Sequence, residues 1–146
     1  MKKRQWLWVI LTVAVGIGLM ALFGRGESPA LPASPTRVTI SLNEPYGGDL
    51  IVERTISDPE AISALVESLS EAKSGRDHKC GSIGTICFLS PVGVTVLSVL
   101  PGHDPAQYEF RLGGDLFKMK RESYIDCLIA AGISREDIRL DGHPDR

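Results

Sequence analysis

The ten residues HKCGSIGTIC (78–87) hold two cysteines and a histidine at close spacing. These residue types could bind zinc, form a disulfide, or provide a thiol activated by histidine. Residues 83–89 alternate as a strand does, and strand residues advance about 3.3 Å each, so Cys80 and Cys87 should lie roughly 20 Å apart. A disulfide requires Cα atoms within about 7 Å. The spacing therefore argues against a joint role for these two cysteines.

The turn SPVG follows this strand, and its proline and glycine suit a hairpin. Counting outward from the turn along both strands brings Cys80 opposite the start of PGHDP (101–105). We therefore expect a thiol, an imidazole and a carboxylate to converge at one end of the sheet, with His78 close by.

Four residues form this predicted cluster: His78, Cys80, His103 and Asp104. One hypothesis is a binding site there, with thiol chemistry or metal coordination as its variants. The alternative is a plain turn, in which Asp104 bonds its own backbone and His103 is solvated.

The remaining cysteines are open to two interpretations. Cys87 and Cys127 fit small core positions, as free cysteines often do. A Cys87–Cys127 or Cys80–Cys127 bridge is the alternative, because helix and sheet must pack together, and the sequence leaves the disulfide pairing unknown.

A small cationic patch accompanies the third hairpin, and Arg111 joins the candidate binding residues on that account. The patch consists of Arg111, Lys118, Lys120 and Arg121. It either meets an acidic ligand or forms salt bridges with Glu109 and Glu122.

The sequence carries none of the common catalytic signatures. We find no G-x-S-x-G, no H-E-x-x-H and no phosphate-binding loop ending in Gly-Lys-Ser/Thr. From residue 36 onward, twelve Lys and Arg face seventeen Asp and Glu, which gives about −5 and argues against nucleic-acid binding. We expect a protein that is not an enzyme and carries no cofactor.

The elements that must position these residues follow the order β-β-α-β-β-β-β-α, which is typical of an α+β fold. We expect one antiparallel sheet with both helices on one face. The predicted strands are 36–43, 50–56, 82–90, 94–100, 107–112 and 115–120, and the predicted helices are 57–75 and 121–131.

The third hairpin has the best defined register. Gly113-Gly114 is a two-residue turn signal, and it sets Phe110 opposite Phe117 and Tyr108 opposite Met119. Glu109 then meets Lys118 on the other face.

The N-terminus predicts a membrane anchor. Residues 5–23 contain no charge, and a helix of that length would span about 28 Å, close to the hydrocarbon thickness. Lys2, Lys3 and Arg4 favour a single-pass segment with a cytoplasmic N-terminus and an extracytoplasmic C-terminal domain. A cleaved signal peptide over residues 1–23 is the alternative. The predicted order continues with a flexible linker (24–35), the domain (36–141) and a polar tail (142–146).

Residues 58–132 resemble a known group of domains. The resemblance rests on a capped helix, on AK followed after six residues by CGSIG, and mainly on PGHDPAQYEFRLGG (101–114). This pattern is similar to small extracytoplasmic α+β domains of bacterial lipoproteins and membrane-anchored proteins of unknown function. The resemblance implies an envelope location and no activity. Many such domains follow a lipidated cysteine, whereas this chain has a plain apolar segment.

The sequence thus predicts a membrane-anchored binding domain whose partner is an envelope protein or a small ligand. A thiol or metal site at Cys80 and its neighbours is the first alternative. A structural accessory subunit of a membrane complex, acting through residues 5–23, is the second.

Overall fold

The computed structural model describes residues 27–45 and 48–141 of the chain. They form an α+β domain with one seven-stranded antiparallel sheet and two helices. In chain order the elements are β1 (Arg37–Asn43), β2 (Leu50–Ile56), α1 (Pro59–Ser70), β3 (Lys73–Ser74), β4 (Gly84–Ser90), β5 (Gly93–Val99), β6 (Gln107–Leu112), β7 (Asp115–Lys120) and α2 (Arg121–Ala130), followed by a 3-10 turn at Arg135–Asp137. The strands lie in the order β2-β1-β4-β5-β6-β7-β3.

The predicted registers of both later hairpins are confirmed. In the β6–β7 pair, Phe110 faces Phe117, Tyr108 faces Met119 and Glu109 faces Lys118. In the β4–β5 pair, Gly84 faces Val99, as counting from the turn requires. Turn chemistry and the two-residue period of side chains were sufficient to fix both alignments.

Helix α1 begins where its capping residues predict. The Asp58 carboxylate accepts a hydrogen bond from the Ala61 backbone N–H at 2.9 Å, and Pro59 occupies the first turn. The helix ends at Ser70, five residues before the predicted end at Gly75. Its buried stripe consists of Ile62, Leu65 and Leu69.

The predicted order lacked β3, and the structure corrects it. Lys73 pairs with Lys118 and Ser74 pairs with Phe117, so the chain leaves α1 early and adds a short edge strand beside β7. Two residues are too few to show an alternating pattern, so this strand could not be predicted from the sequence.

One core joins the helices to the sheet. The two helices contact each other. The Tyr124 ring of α2 stacks on Phe110 of β6 with ring centroids 6.3 Å apart, and Tyr108 lies 5.8 Å from Tyr124. The strand residues of this core alternate along the chain, among them Val38, Ile40, Leu42, Ile86, Phe88, Leu97 and Val99.

Residues 75–83, which we call the crossing segment, lead from edge strand β3 to central strand β4 over the face opposite this core. The Gly75 N–H donates to the Leu116 carbonyl of β7 at 2.8 Å, and at the other end the Ile83 N–H donates to the Val99 carbonyl of β5 at 2.9 Å. A Cβ on Gly75 would lie 2.5 Å from the Cδ2 of Leu116 and 2.8 Å from the Cγ of Lys118, so a larger residue there would require both side chains to shift. The segment therefore covers part of the outer face.

The predicted anchor at residues 5–23 lies outside the described residues. Within the part of the chain that the structure describes, no helix is long and apolar enough to cross a membrane. Residues 27–35, within the predicted linker, contact the domain. Pro29 is buried, Leu31 packs on the core, and the Glu27 carbonyl accepts from the Ser74 N–H at 3.1 Å.

Two tyrosines whose rings meet edge-on, Tyr108 and Tyr124, give a matched test of this core. The Tyr124 hydroxyl is buried and finds no hydrogen-bond partner among the described residues, whereas the Tyr108 hydroxyl donates to Asp141 at 2.8 Å. Burying an unpaired polar group costs free energy. We expect Tyr124→Phe to raise the free energy of unfolding by about 1 kcal/mol and Tyr108→Phe to lower it by about the same amount. Urea titration of both variants followed by circular dichroism measures this. Equal destabilisation by the two substitutions would contradict the assignment.

Candidate metal-binding site

The structure brings together three of the predicted binding residues at one end of the sheet. Cys80 and His78 lie on the crossing segment just before β4, and His103 lies just after β5. Gly84, the first residue of β4, pairs with Val99, the last residue of β5. The chain before Gly84 and the chain after Val99 therefore leave the sheet at the same end. The hairpin register thus places the Cys80 thiol next to the His103 imidazole.

The donor atoms of His78, Cys80 and His103 all lie within 4.8 Å of one another. The Cys80 Sγ is 2.8 Å from the His103 Nε2, and the two imidazole centroids are 5.5 Å apart in an edge-on arrangement. His78 and Cys80 are partly exposed, and His103 is exposed. We call these three residues the Cys/His cluster. It is reachable from solvent.

A buried carboxylate holds His78 in place. Glu109 of β6 is only 2% exposed, and one of its oxygens contacts the His78 Nε2 while the other accepts from the Lys118 Nζ at 2.7 Å. Burial alone raises the pKa of Glu109, but the hydrogen bonds from Lys118 and His78 outweigh it and leave that pKa below its usual value. Glu109 is therefore ionised, and its oxygen can accept a hydrogen bond from the Nε2–H of His78.

Arg111 fixes the backbone of the crossing segment. Its guanidinium donates to the carbonyls of His78 and Cys80, the latter at 2.9 Å, and to the Asp77 carboxylate at 2.9 Å. Five donors in a planar fork suit this set of acceptors. Arg111 was a candidate binding residue from the sequence, and in the structure its guanidinium bonds the backbone of the two segment residues that carry donors, His78 and Cys80.

The PGHDP turn positions His103 through its neighbours. Asp104 does not join the cluster: its Oδ1 accepts from the Ala106 N–H at 2.8 Å in a local turn. The Gly102 N–H donates to the Leu140 carbonyl at 2.6 Å. The interpretation of PGHDP as a plain turn is therefore right for Asp104, which bonds its own backbone. It is wrong for His103, whose ring contacts Cys80.

The electrostatic surroundings of Cys80 disfavour a reactive thiolate. Burial raises the pKa of this thiol, the Glu109 carboxylate raises it further, and Arg111 acts in the opposite direction, with a net increase. A nucleophilic cysteine needs a lowered pKa. The arrangement thus does not favour thiol chemistry of the kind weighed from the sequence.

A hollow of about 460 Å³ borders the cluster, with Cys80 and His103 in its wall. Its other lining residues include Asn43, Lys79, Ser82 and Pro101. Small solutes can therefore reach the cluster through this side of the domain.

In the described part of the chain the three cysteines are free thiols. Cys127 is buried in α2, as a core position predicts. Cys87 is only partly buried, because Ile86 and Phe88 take the core positions of β4 and leave it on the outer face beside Val96. Neither alternative bridge forms.

The cationic patch is mostly neutralised within the domain. Lys118 pairs with Glu109 and Arg111 with Asp77, and Arg121 pairs with Asp141 at 2.6 Å. Glu122, the other predicted partner, faces Arg135 at 3.6 Å. The salt-bridge interpretation of this patch is therefore favoured.

Glu109 and Asp77 were not predicted as part of the site. The sequence offered one sign for Glu109: it occupies a strand position beside Arg111 on the face opposite Tyr108 and Phe110. Its burial depends on the path of the crossing segment, which the sequence does not specify.

Comparison with known proteins identifies no relative of this chain. A scan against models of protein families, a search of curated proteins and a search of solved structures found no match to the chain. The resemblance to extracytoplasmic domains of bacterial lipoproteins stays a prediction.

The geometry around His103 can be tested at Gly102. A Cβ there would lie 2.5 Å from the ring of buried Tyr108, so Gly102→Ala must displace the turn that carries His103. We expect a loss of about 1–3 kcal/mol in the free energy of unfolding, as for other overpacked sites. Gly81→Ala, whose Cβ would meet nothing within 4 Å, is the control and should stay within about 0.5 kcal/mol of the parent. Thermal unfolding of the three proteins decides the matter, and equal stability of both variants would contradict a tight turn.

Proposed function

We propose that this chain is a membrane-attached, extracytoplasmic domain that binds a transition-metal ion through the Cys/His cluster. The observation that carries the proposal is the convergence of three donor atoms within 4.8 Å from two separate parts of the chain. The proposed role is binding, without catalysis of a reaction.

The types of donor favour certain ions over others. One thiolate and two imidazoles suit Zn²⁺ or Cu⁺, whereas Mg²⁺ and Ca²⁺ prefer oxygen. On a tetrahedral zinc, with bonds of about 2.3 Å to sulfur and about 2.0 Å to nitrogen, donors lie about 3.3–3.6 Å apart. In the structure the Cys80 Sγ and the His103 Nε2 are 2.8 Å apart, and the three donor atoms lie within 4.8 Å of one another. Small side-chain rotations would bring these distances to the tetrahedral values. Three protein donors leave a fourth position toward solvent.

Glu109 supplies the outer partner that metal-binding histidines usually have. When the Nε2–H of His78 donates a hydrogen bond to Glu109, the Nδ1 lone pair is free for an ion. Arg111 holds the carbonyls of His78 and Cys80, so the crossing segment loses little conformational freedom on binding.

Attachment to a membrane is supported by the sequence. Residues 5–23 are uncharged and follow three basic residues, and the domain beyond residue 36 is acidic. We infer an extracytoplasmic domain from this asymmetry.

The direct test measures metal affinity of the full-length protein in detergent micelles. We expect tight Zn²⁺ binding in competition with a chromophoric chelator, and a thiolate-to-cobalt charge-transfer band when Co²⁺ replaces zinc. Cys80→Ser should abolish the band and weaken binding more than about 100-fold, beyond the range of an outer-partner change. Cys87→Ser is the control and should bind as the parent does, since Cys87 lies outside the cluster.

Two results would sink the proposal. The first is equal affinity of the parent protein and the Cys80→Ser variant for both Zn²⁺ and Cu⁺. The other is a cobalt spectrum without a sulfur band although the thiol is reduced.

The role of Glu109 can be separated from its role in folding. We expect Glu109→Gln to weaken Zn²⁺ binding by about 10–100-fold, because the His78 ring loses a charged acceptor. Lys118→Gln removes the other partner of the same carboxylate and leaves the His78 contact, so it should change zinc affinity much less. Affinities are compared by chelator competition on samples shown to be folded by circular dichroism. Equal zinc affinity of the two variants would mean that Glu109 acts only in folding.

A further inference from the structure

Residues 138–141, which we call the C-terminal strap, lie beside the turn that carries His103. Leu140 of the strap is 1% exposed, and its carbonyl accepts a hydrogen bond from the Gly102 N–H at 2.6 Å. Gly102 and Asp141 form a parallel β-bridge. The strap is therefore paired through its backbone with the residue next to His103.

The Asp141 carboxylate fixes the strap to two side chains. Its Oδ1 accepts from the Tyr108 hydroxyl at 2.8 Å, and its Oδ2 accepts from the Arg121 guanidinium at 2.6 Å. Both donors are held in place themselves, because Tyr108 is buried and the Arg121 guanidinium lies 5.0 Å from the centre of its ring. Hydrogen bonds to an ionised acceptor are stronger than those to a neutral one. Asp141 thus fastens the strap to the start of β6 and the start of α2.

The turn that carries His103 has few other attachments. Among the described residues, its other backbone pairing, the bridge between Asp104 and Gln107, is local. His103 itself is exposed, and its imidazole contacts the other two members of the Cys/His cluster. The strap therefore supplies the backbone attachment that sets where His103 stands relative to those two residues.

We propose that Asp141 is a positioning residue of the metal site: by docking the strap against Gly102, it holds the His103 imidazole where it can join the other two ligands on one ion. The inference rests on the metal binding proposed above. The other two ligands lie on the crossing segment, which has its own supports, so the strap accounts for the third. A ligand that is held in place before binding raises affinity, because less conformational freedom is lost when the ion binds.

Coupling between the strap and the ion must act in both directions. If the docked strap raises zinc affinity by some factor, bound zinc stabilises the docked strap by the same factor. The Gly102 N–H reports docking, because its hydrogen bond to the Leu140 carbonyl must open before this proton exchanges with water. Exchange at Gly102 should therefore slow when zinc binds.

Zinc affinity of the full-length protein in detergent micelles, measured by chelator competition, tests the proposal. We expect Asp141→Ala to weaken Zn²⁺ binding by about tenfold, at the low end for partners outside the ligand set. Asp141→Asn keeps an acceptor oxygen and should recover part of that loss. Asp58→Ala is the matched control, because it removes the cap of α1 and lowers stability without touching the strap or the cluster. Its zinc affinity should equal that of the parent, with all variants compared where circular dichroism shows them folded.

Hydrogen exchange of the unsubstituted protein, followed by NMR, gives a second measurement that depends on no variant. We expect exchange at the Gly102 amide to slow by about tenfold at saturating Zn²⁺, the factor by which Asp141→Ala weakens binding. The Thr36 amide, which donates to the Leu89 carbonyl near the β4–β5 turn, is the reference and should keep its rate.

The outcomes separate the two proposals. A parent protein without the thiolate-to-cobalt band overturns the metal site and, with it, the positioning role. A parent that shows the band, with Asp141→Ala binding zinc as tightly as Asp58→Ala, overturns only the positioning role. Unchanged exchange at Gly102 on zinc binding likewise overturns it, and this measurement decides alone if Asp141→Ala does not fold.

Discussion

A carboxylate buried beneath a loop must be paired, and in this domain that requirement fixes the path of the chain. Glu109 is the one charged residue buried among those that the structure describes. An unpaired charge in its position would cost several kcal/mol. Lys118 on the adjacent strand supplies one partner, and His78 supplies the other only if the crossing segment lies directly over β6. The arrangement of the Cys/His cluster follows from this pairing.

The cluster is assembled from parts with different origins. The β4–β5 hairpin brings its two flanking segments to one end of the sheet, a local effect of turn and register. Glu109 and Arg111 then set the height and direction of the segment that carries His78 and Cys80. Close packing of Gly102 against Tyr108 sets the turn that carries His103. The three possible metal ligands come together because other residues, which are not themselves possible ligands of the ion, hold each of them in place.

The sequence was sufficient for much of this structure, and the limits have physical causes. Turn residues and alternation predicted both hairpin registers, and through them the meeting of Cys80 with His103. The same period did not reveal β3, which is two residues long. It does put Cys87 on the face opposite Ile86 and Phe88, so the prediction of a core position for Cys87 was wrong. The burial of Glu109 and the clamp by Arg111 depend on how a loop crosses a sheet. Such a path is decided by long-range packing and leaves no periodic trace.

The strands β4 and β5 also act as a spacer. Each has seven residues, and strand residues advance about 3.3 Å, so the Cys/His cluster and the β4–β5 turn are held roughly 20 Å apart by backbone hydrogen bonds. The separation changes only in steps of one residue. Inserting two residues in each strand would lengthen it by about 7 Å and keep every side chain on the same face of the sheet. The distance between the cluster and the β4–β5 turn is thus set by strand length, independently of the residues that form the cluster.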